Sequence, residues 1–108
     1  MISQSERNSK AIRFSLEVEG KEIGRAWLCL IRNDLHAEPY GLLEDVWINE
    51  SHRGKGFASQ LVKEVMNRAK QEGCYKLVAT SRLEREKVHR LYVCLGFELH
   101  GHEFRIDI

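Results

Sequence analysis

The chain's patterning predicts an α/β sheet protein with two helices, in the order β-β-β-α-β-α-β-β. Three observations carry that expectation. Apolar and polar residues alternate early in the chain, the spacing becomes helical after Gly56 and again from Val88, and the chain has 108 residues with 43% hydrophobic and 31% charged side chains. That size and balance suit one domain, so residues 11–108 are read as a single unit behind a polar, disordered leader over residues 1–10.

Ile12, Phe14, Leu16 and Val18 alternate with Arg13, Ser15, Glu17 and Glu19, the mark of a strand with one buried face. Gly20-Lys21 reads as a hairpin turn into a second strand, Ile23 to Ile31, whose latter half is apolar on both faces like an inner strand. A loop from Arg32 to Tyr40 leads to a third strand, Leu42 to Asn49. Ala58, Leu61, Val62, Val65, Met66 and Ala69 then form one helical stripe that Gly73 ends. Tyr75 to Thr80 reads as a short strand, and Val88, Leu91, Tyr92 and Leu95 as a second helix stopped by Gly96. Phe97 to Leu99 and Glu103 to Ile108 are expected as two closing strands around His100-Gly101.

Composition removes several function classes. Seventeen Lys plus Arg against sixteen Asp plus Glu leave a formal charge of +1, which argues against a nucleic-acid partner held through phosphates. Cys29, Cys74 and Cys94 are odd in number and widely spaced, so they support neither a disulfide framework nor a zinc site. His100 and His102 share a strand face, but two ligands do not make a metal site. Met1 to Lys10 lacks an apolar signal core, and no stretch nears the ~18 apolar residues of a membrane span. The expectation is therefore a cytoplasmic protein with no metal and no membrane partner.

The most informative stretch is Leu42 to Leu61, LLEDVWINESHRGKGFASQL, a strand that enters a glycine-bearing loop and then an amphipathic helix. Unpaired N–H groups in the first helical turn, with glycines that admit close approach, make an anion site, and Arg53 and Lys55 add charge there. A Walker A loop is excluded by spacing, and a dinucleotide fingerprint fails because Ser59 stands where its third glycine belongs.

Arg53-Gly54-Lys55-Gly56-Phe57-Ala58 resembles the acetyl-CoA loop of the GNAT acyltransferase superfamily, Gln/Arg-x-x-Gly-x-Gly/Ala. Glu44-Asp45-Val46-Trp47-Ile48-Asn49 is similar to the family strand that precedes that loop. Val88 to Phe97, VHRLYVCLGF, is similar to the family's second signature, a Tyr-bearing helix closing on Leu-Gly-Phe. The resemblance covers roughly Ile12 to the C-terminus; the family's first strand and first two helices have no counterpart in it. It implies a compact GNAT-like fold with a mixed, mainly antiparallel sheet, and N-acetyl transfer from acetyl-CoA to a primary amine of a small molecule or protein by direct attack in a ternary complex. The alternative is a non-catalytic acyl-CoA-binding or interaction module.

By the same resemblance, the backbone of Val46, Trp47 and Ile48 would pair with the pantetheine arm, with one N–H polarising the thioester carbonyl. Arg53 and the backbone of Gly54, Lys55, Gly56, Phe57, Ala58 and Ser59 would hold the pyrophosphate. Tyr92 matches the tyrosine that protonates the departing thiolate, and Glu44 an acid that some members use as general base. Glu44 is expected to share a strand face with Val46 and Ile48 and to be partly desolvated there. His89 is the alternative base. Members often carry Asn where this chain has Arg85, and Arg82, Arg85, Lys87 and Arg90 form a basic cluster beside it. A wide, shallow acceptor site or one completed in a homodimer is the remaining expectation, in keeping with a small core.

Overall fold

Alternation in the first third of the chain becomes a hairpin. In the computed structural model, which describes residues 1–108, β1 (Lys10–Val18) and β2 (Lys21–Ile31) pair antiparallel around Glu19-Gly20. Both turn residues have positive φ, 51° and 78°, the combination whose twist matches the flanking strands. The turn thus falls one residue before the expected Gly20-Lys21, because Lys21 pairs with Val18. Met1 to Ser9 form no helix or strand and are exposed. Lys10 already belongs to β1, and its ammonium holds Glu72 at 2.8 Å.

β3 (Tyr40–Ile48) lies antiparallel to β2, and β4 (Leu77–Ala79) lies parallel to β3, so the sheet order is β1-β2-β3-β4. A parallel neighbour needs a crossover, which α1 (Phe57–Gln71) supplies. The stripe read from the sequence buries Leu61, Val62, Val65 and Ala69 against Ala26, Leu28, Leu30, Leu43 and Ile48 of the sheet. Beyond α1, Gly73 takes φ 78° and the Cys74 N–H donates to the Ala69 carbonyl at 3.0 Å, a left-handed stop that few other residues adopt without strain. α2 (Glu86–Cys94) is only half-buried. After it Gly96 turns the chain at φ 103°, and the Phe97 N–H returns to the Tyr92 carbonyl at 2.9 Å.

Leu28 is fully buried at the centre of this packing. Leu28→Ala should destabilise the fold by about 2–5 kcal/mol through lost transfer energy and the cavity left behind. Urea denaturation with unchanged slope measures it.

Two expected strands are corrected. Phe97–Leu99 and Glu103–Ile108 form no strand, and Leu99, Phe104, Ile106 and Ile108 are all exposed. Their alternation specifies which face a strand would bury, but a strand also needs an edge to pair with. A strand forms only where ladder bonds offset about 1–2 kcal/mol of backbone entropy per ordered residue, and neither segment pairs with the three residues of β4 or with the open edges of β1 and β3. The fourth strand is likewise shorter than the expected Tyr75 to Thr80.

Candidate functional site

β3 outruns its parallel neighbour. The pairing with β4 covers only Gly41, Leu42 and Leu43, so from Glu44 to Ile48 the β4 side of β3 carries no strand. Backbone groups along such an edge are available to an extended ligand.

At the end of β3 the chain makes one 3₁₀ turn, Glu50–His52, capped by Asn49, whose Oδ1 accepts from the Ser51 N–H at 3.0 Å. Arg53 Nε donates to the Ile48 carbonyl at 2.9 Å and ties the following loop back to the strand. Gly54 and Gly56 have φ of 76° and 85°, values that bring the loop into α1 without a Cβ penalty. No atom lies within 4 Å of a Cβ built at either glycine, so the surface there is open. Gly56 caps α1 with no side-chain hydrogen bond, and the first turn holds no acidic residue. The N–H groups of Phe57, Ala58 and Ser59 have no intrahelical acceptor by geometry. An anion is what this terminus accommodates.

The loop opens onto a groove of about 310 Å³. Arg53, Gly54, Gly56 and the first turn of α1 form one wall, Ile48 lies at the strand end, and Lys87 and Leu91 of α2 form the other wall. Of the ten residues expected to hold the donor, the structure gathers Ile48, Arg53, Gly54, Gly56, Phe57, Ala58 and Ser59 on this groove. Lys55 sits exposed on the loop, and Val46 and Trp47 lie half-buried on the open part of β3. Lys87 is the only member of the basic cluster that lines the groove. Patterning placed four basic residues near α2 but carried no signal for which one turns inward.

Tyr92 lies on α2 one residue beyond Leu91, packed on Phe97 with ring centroids 5.3 Å apart. Burial first, and the Glu44 carboxylate second, push its phenol above the ordinary value. The hydroxyl makes no hydrogen bond within the protein, yet no buried side-chain polar atom lacks a partner, so the oxygen itself reaches the surface. A neutral, accessible phenol is a proton donor at pH 7.

Glu44 requires a correction. It is exposed rather than partly desolvated, and it lies opposite Trp27, while Ile48 lies opposite Gly24 on the face that meets α1. Glu44 and Ile48 therefore occupy opposite faces. The cause is a bulge: the register shifts between Arg25 and Trp27, and Asp45 takes φ 50°, which reverses the alternation beyond it. Glu44 still makes no ion pair, and it is close enough to act on Tyr92. His89 uses Nε2 to bond the Arg82 carbonyl at 2.9 Å. Because a carbonyl only accepts, that nitrogen carries the proton, and His89 anchors the loop before α2.

Elsewhere the structure offers less chemistry. A groove of about 370 Å³ beside Asn8, Ser9 and Lys10 has Leu30 as its one apolar wall, and its Lys10 and Glu72 neutralise each other. No cluster of three or more His, Cys, Asp or Glu side chains could hold a metal ion. All three cysteines are free, with burial raising the Cys29 and Cys74 thiols. No helix is long and apolar enough to cross a membrane.

Residues 2–97 match the model of the acetyltransferase (GNAT) family. Over 68 residues the chain is 34% identical to glucosamine 6-phosphate N-acetyltransferase of Trypanosoma brucei brucei, a match covering 63% of this chain and 44% of that protein. Over 65 residues it is 32% identical to an aminoglycoside N(6′)-acetyltransferase type 1 of Serratia marcescens, covering 60% of this chain and again 44% of the relative. The matches thus span less than half the length of these curated relatives. Among solved structures, an acetyltransferase of Trypanosoma brucei superposes with a TM-score of 0.79 at 26% identity, covering 91% of this chain and 69% of that one.

Proposed function

The chain belongs to the acetyltransferase (GNAT) family, and from that premise we propose that it transfers the acetyl group of acetyl-CoA to a primary amine by direct attack in a ternary complex. The observation that carries the proposal is the continuity of three features: the unpaired edge of β3, the glycine loop at its end, and the Tyr92 helix across the groove. An extended pantetheine arm fits the first, a pyrophosphate the second, and a leaving thiolate needs an acid such as the third.

In this reading the amides of the loop and first turn, with Arg53 and Lys87, hold the pyrophosphate. Lys55, exposed at the loop tip, adds to the local positive field. The backbone of Val46, Trp47 and Ile48 pairs with the arm, and an N–H there polarises the thioester carbonyl. The amine nitrogen attacks the carbonyl carbon and the C–S bond breaks. The sulfur takes the Tyr92 proton, and the proton lost by the amine passes to Glu44 or to water. Exposure of Glu44 suits a base that meets an acceptor arriving from solvent.

Similarity to enzymes named for glucosamine 6-phosphate and aminoglycosides supports a small-molecule amine as acceptor. The reading includes a homodimer, motivated by a core of ten buried apolar side chains; sedimentation showing a monomer at working concentration removes that part.

Calorimetric titration with acetyl-CoA and CoA tests the donor site. Thiol release with glucosamine 6-phosphate, an aminoglycoside and a peptide amine then tests transfer. Micromolar binding followed by amine-dependent thiol release is expected. Binding without release on any amine would leave an acyl-CoA-binding module, and no binding would sink the reading entirely.

A further inference from the structure

The bulge in β3 has an attachment that local pattern does not explain. Asp45 sits at φ 50°, a left-handed conformation uncommon for a residue with a Cβ, although Asp tolerates it better than most. Trp27 lies opposite Glu44 and Arg25 opposite Trp47, so Asp45 and Val46 together face Ala26. Arg25 grips the strained residue with two bonds, Nε to Oδ2 at 2.8 Å and Nη2 to Oδ1 at 3.2 Å. The same guanidinium lies 4.9 Å from the centre of the Trp47 ring. One side chain of β2 therefore holds both neighbours of Val46, by a planar fork on one side and by stacking on the other.

We infer that Arg25 is a positioning residue for acetyl transfer: through Asp45 and Trp47 it fixes the backbone direction of the bulge, and with it the aim of the β3 amides at the thioester carbonyl. The inference rests on the function proposed above. Its physical basis is the mismatch between place and worth. An exposed ion pair contributes little to stability, so the clamp has small value as a fold element. The stretch it holds is the part of β3 that lacks a β4 neighbour to straighten it. Catalytic donors need alignment within about 0.5 Å, and a displacement near 1 Å costs about 100-fold in rate. The other charges beside Arg25 do not compete for it: Glu22 is taken by Arg13 in a second bidentate pair, and Glu44 makes no bond to it. The Arg25 pair also holds the Asp45 carboxyl below its ordinary value, so the clamp stays charged throughout the neutral range.

The test uses the full chain, acetyl-CoA, and whichever amine of the panel releases thiol fastest. Arg25→Gln should lower kcat by about 10- to 100-fold. The melting temperature should stay within about 2 °C, because the pair is exposed, and the KM for acetyl-CoA should rise by much less than kcat falls, because the loop and first-turn amides that hold the pyrophosphate are untouched. Arg25→Lys should fail to restore kcat, since an ammonium supplies neither the fork nor the stacked plane. Asp45→Ala, which removes the fork and keeps a Cβ at the left-handed φ, should resemble Arg25→Gln, while Arg25→Gln combined with Asp45→Gly should recover part of the rate, because glycine adopts the bulge φ unaided. An unchanged kcat in Arg25→Gln overturns the inference. So does a parallel fall of kcat, affinity and melting temperature, which would mark a structural pair. A wild-type chain that neither binds acetyl-CoA nor releases thiol sinks the proposed function and this inference together, whereas an active wild type beside an equally active Arg25→Gln sinks this inference alone.

Discussion

Gly56→Glu should abolish acetyl-CoA binding while leaving a folded protein. The position caps α1 with φ 85° and faces open space, with nothing within 4 Å of a Cβ. A side chain there meets no steric obstacle and projects where the loop amides are free. Its carboxylate would accept from the first-turn N–H groups of α1 and satisfy the donors that a pyrophosphate needs. It would also repel that group: at about 4 Å, each like-charge pair near a protein surface is worth roughly 1–4 kcal/mol. Affinity should therefore fall by about 100-fold or more, since 1.4 kcal/mol is a factor of ten. Stability moves much less. The left-handed φ costs about 1–2 kcal/mol for any residue with a Cβ, and a negative charge at a helix start returns about 0.3–1 kcal/mol of it.

Gly56→Ala separates the two causes. It carries the backbone penalty without the charge, so its affinity should stay within about tenfold of wild type while its melting temperature falls at least as far as that of Gly56→Glu. Calorimetry with acetyl-CoA and CoA, beside thermal melts, reads both quantities. Wild-type affinity in Gly56→Glu would remove the pyrophosphate from this loop. Equal losses in both variants would assign the effect to distorted backbone rather than to occupied donors.

Legibility of the site in the sequence divided along a physical line. Local relations were visible: the stripe Leu61, Val62, Val65 and Ala69 has helical spacing and meets the sheet as that spacing requires. Gly54 and Gly56 stand where the turn from strand to helix demands positive φ. Relations between distant residues left little trace. Arg25 and Asp45 are twenty positions apart, and nothing in a period-2 template links them. One signal for the bulge did exist. Glu44 and Asp45 are consecutive polar residues between the apolar runs Leu42-Leu43 and Val46-Trp47-Ile48, and a bulge is one way to put both outside. A strict alternation instead assigned Glu44 to the face of Ile48. The final segment shows the opposite limit, since Phe104, Ile106 and Ile108 alternate well and still pair with no strand, although β1 and the end of β3 keep open edges. Periodicity describes what a segment could bury; whether it pairs depends on contacts with distant parts of the chain that periodicity does not encode.

Tyr92→Phe should cost turnover and almost nothing else. The hydroxyl makes no hydrogen bond in the free protein and reaches the surface, so its removal leaves no orphaned partner, and the ring keeps its packing on Phe97. Stability near pH 7 should thus change by less than about 0.5 kcal/mol. If the phenol protonates the departing thiolate, its interaction arises only as the C–S bond breaks. Loss should then appear in kcat by about 10²- to 10⁴-fold, with the KM for acetyl-CoA nearly unchanged. The pH dependence gives an independent check. Burial and the Glu44 carboxylate raise the Tyr92 phenol above its ordinary 10.0, so the native chain holds this proton more tightly than the unfolded chain does. Wild-type stability should therefore fall as pH rises from about 10 towards the raised native value, where the unfolded phenol ionises first, and the phenylalanine variant should lack that part of the decline. The alkaline limit of kcat should likewise lie above pH 10 in wild type. Neutral-pH turnover in Tyr92→Phe within threefold of wild type would show that solvent protonates the thiolate and that Tyr92 serves the packing of α2.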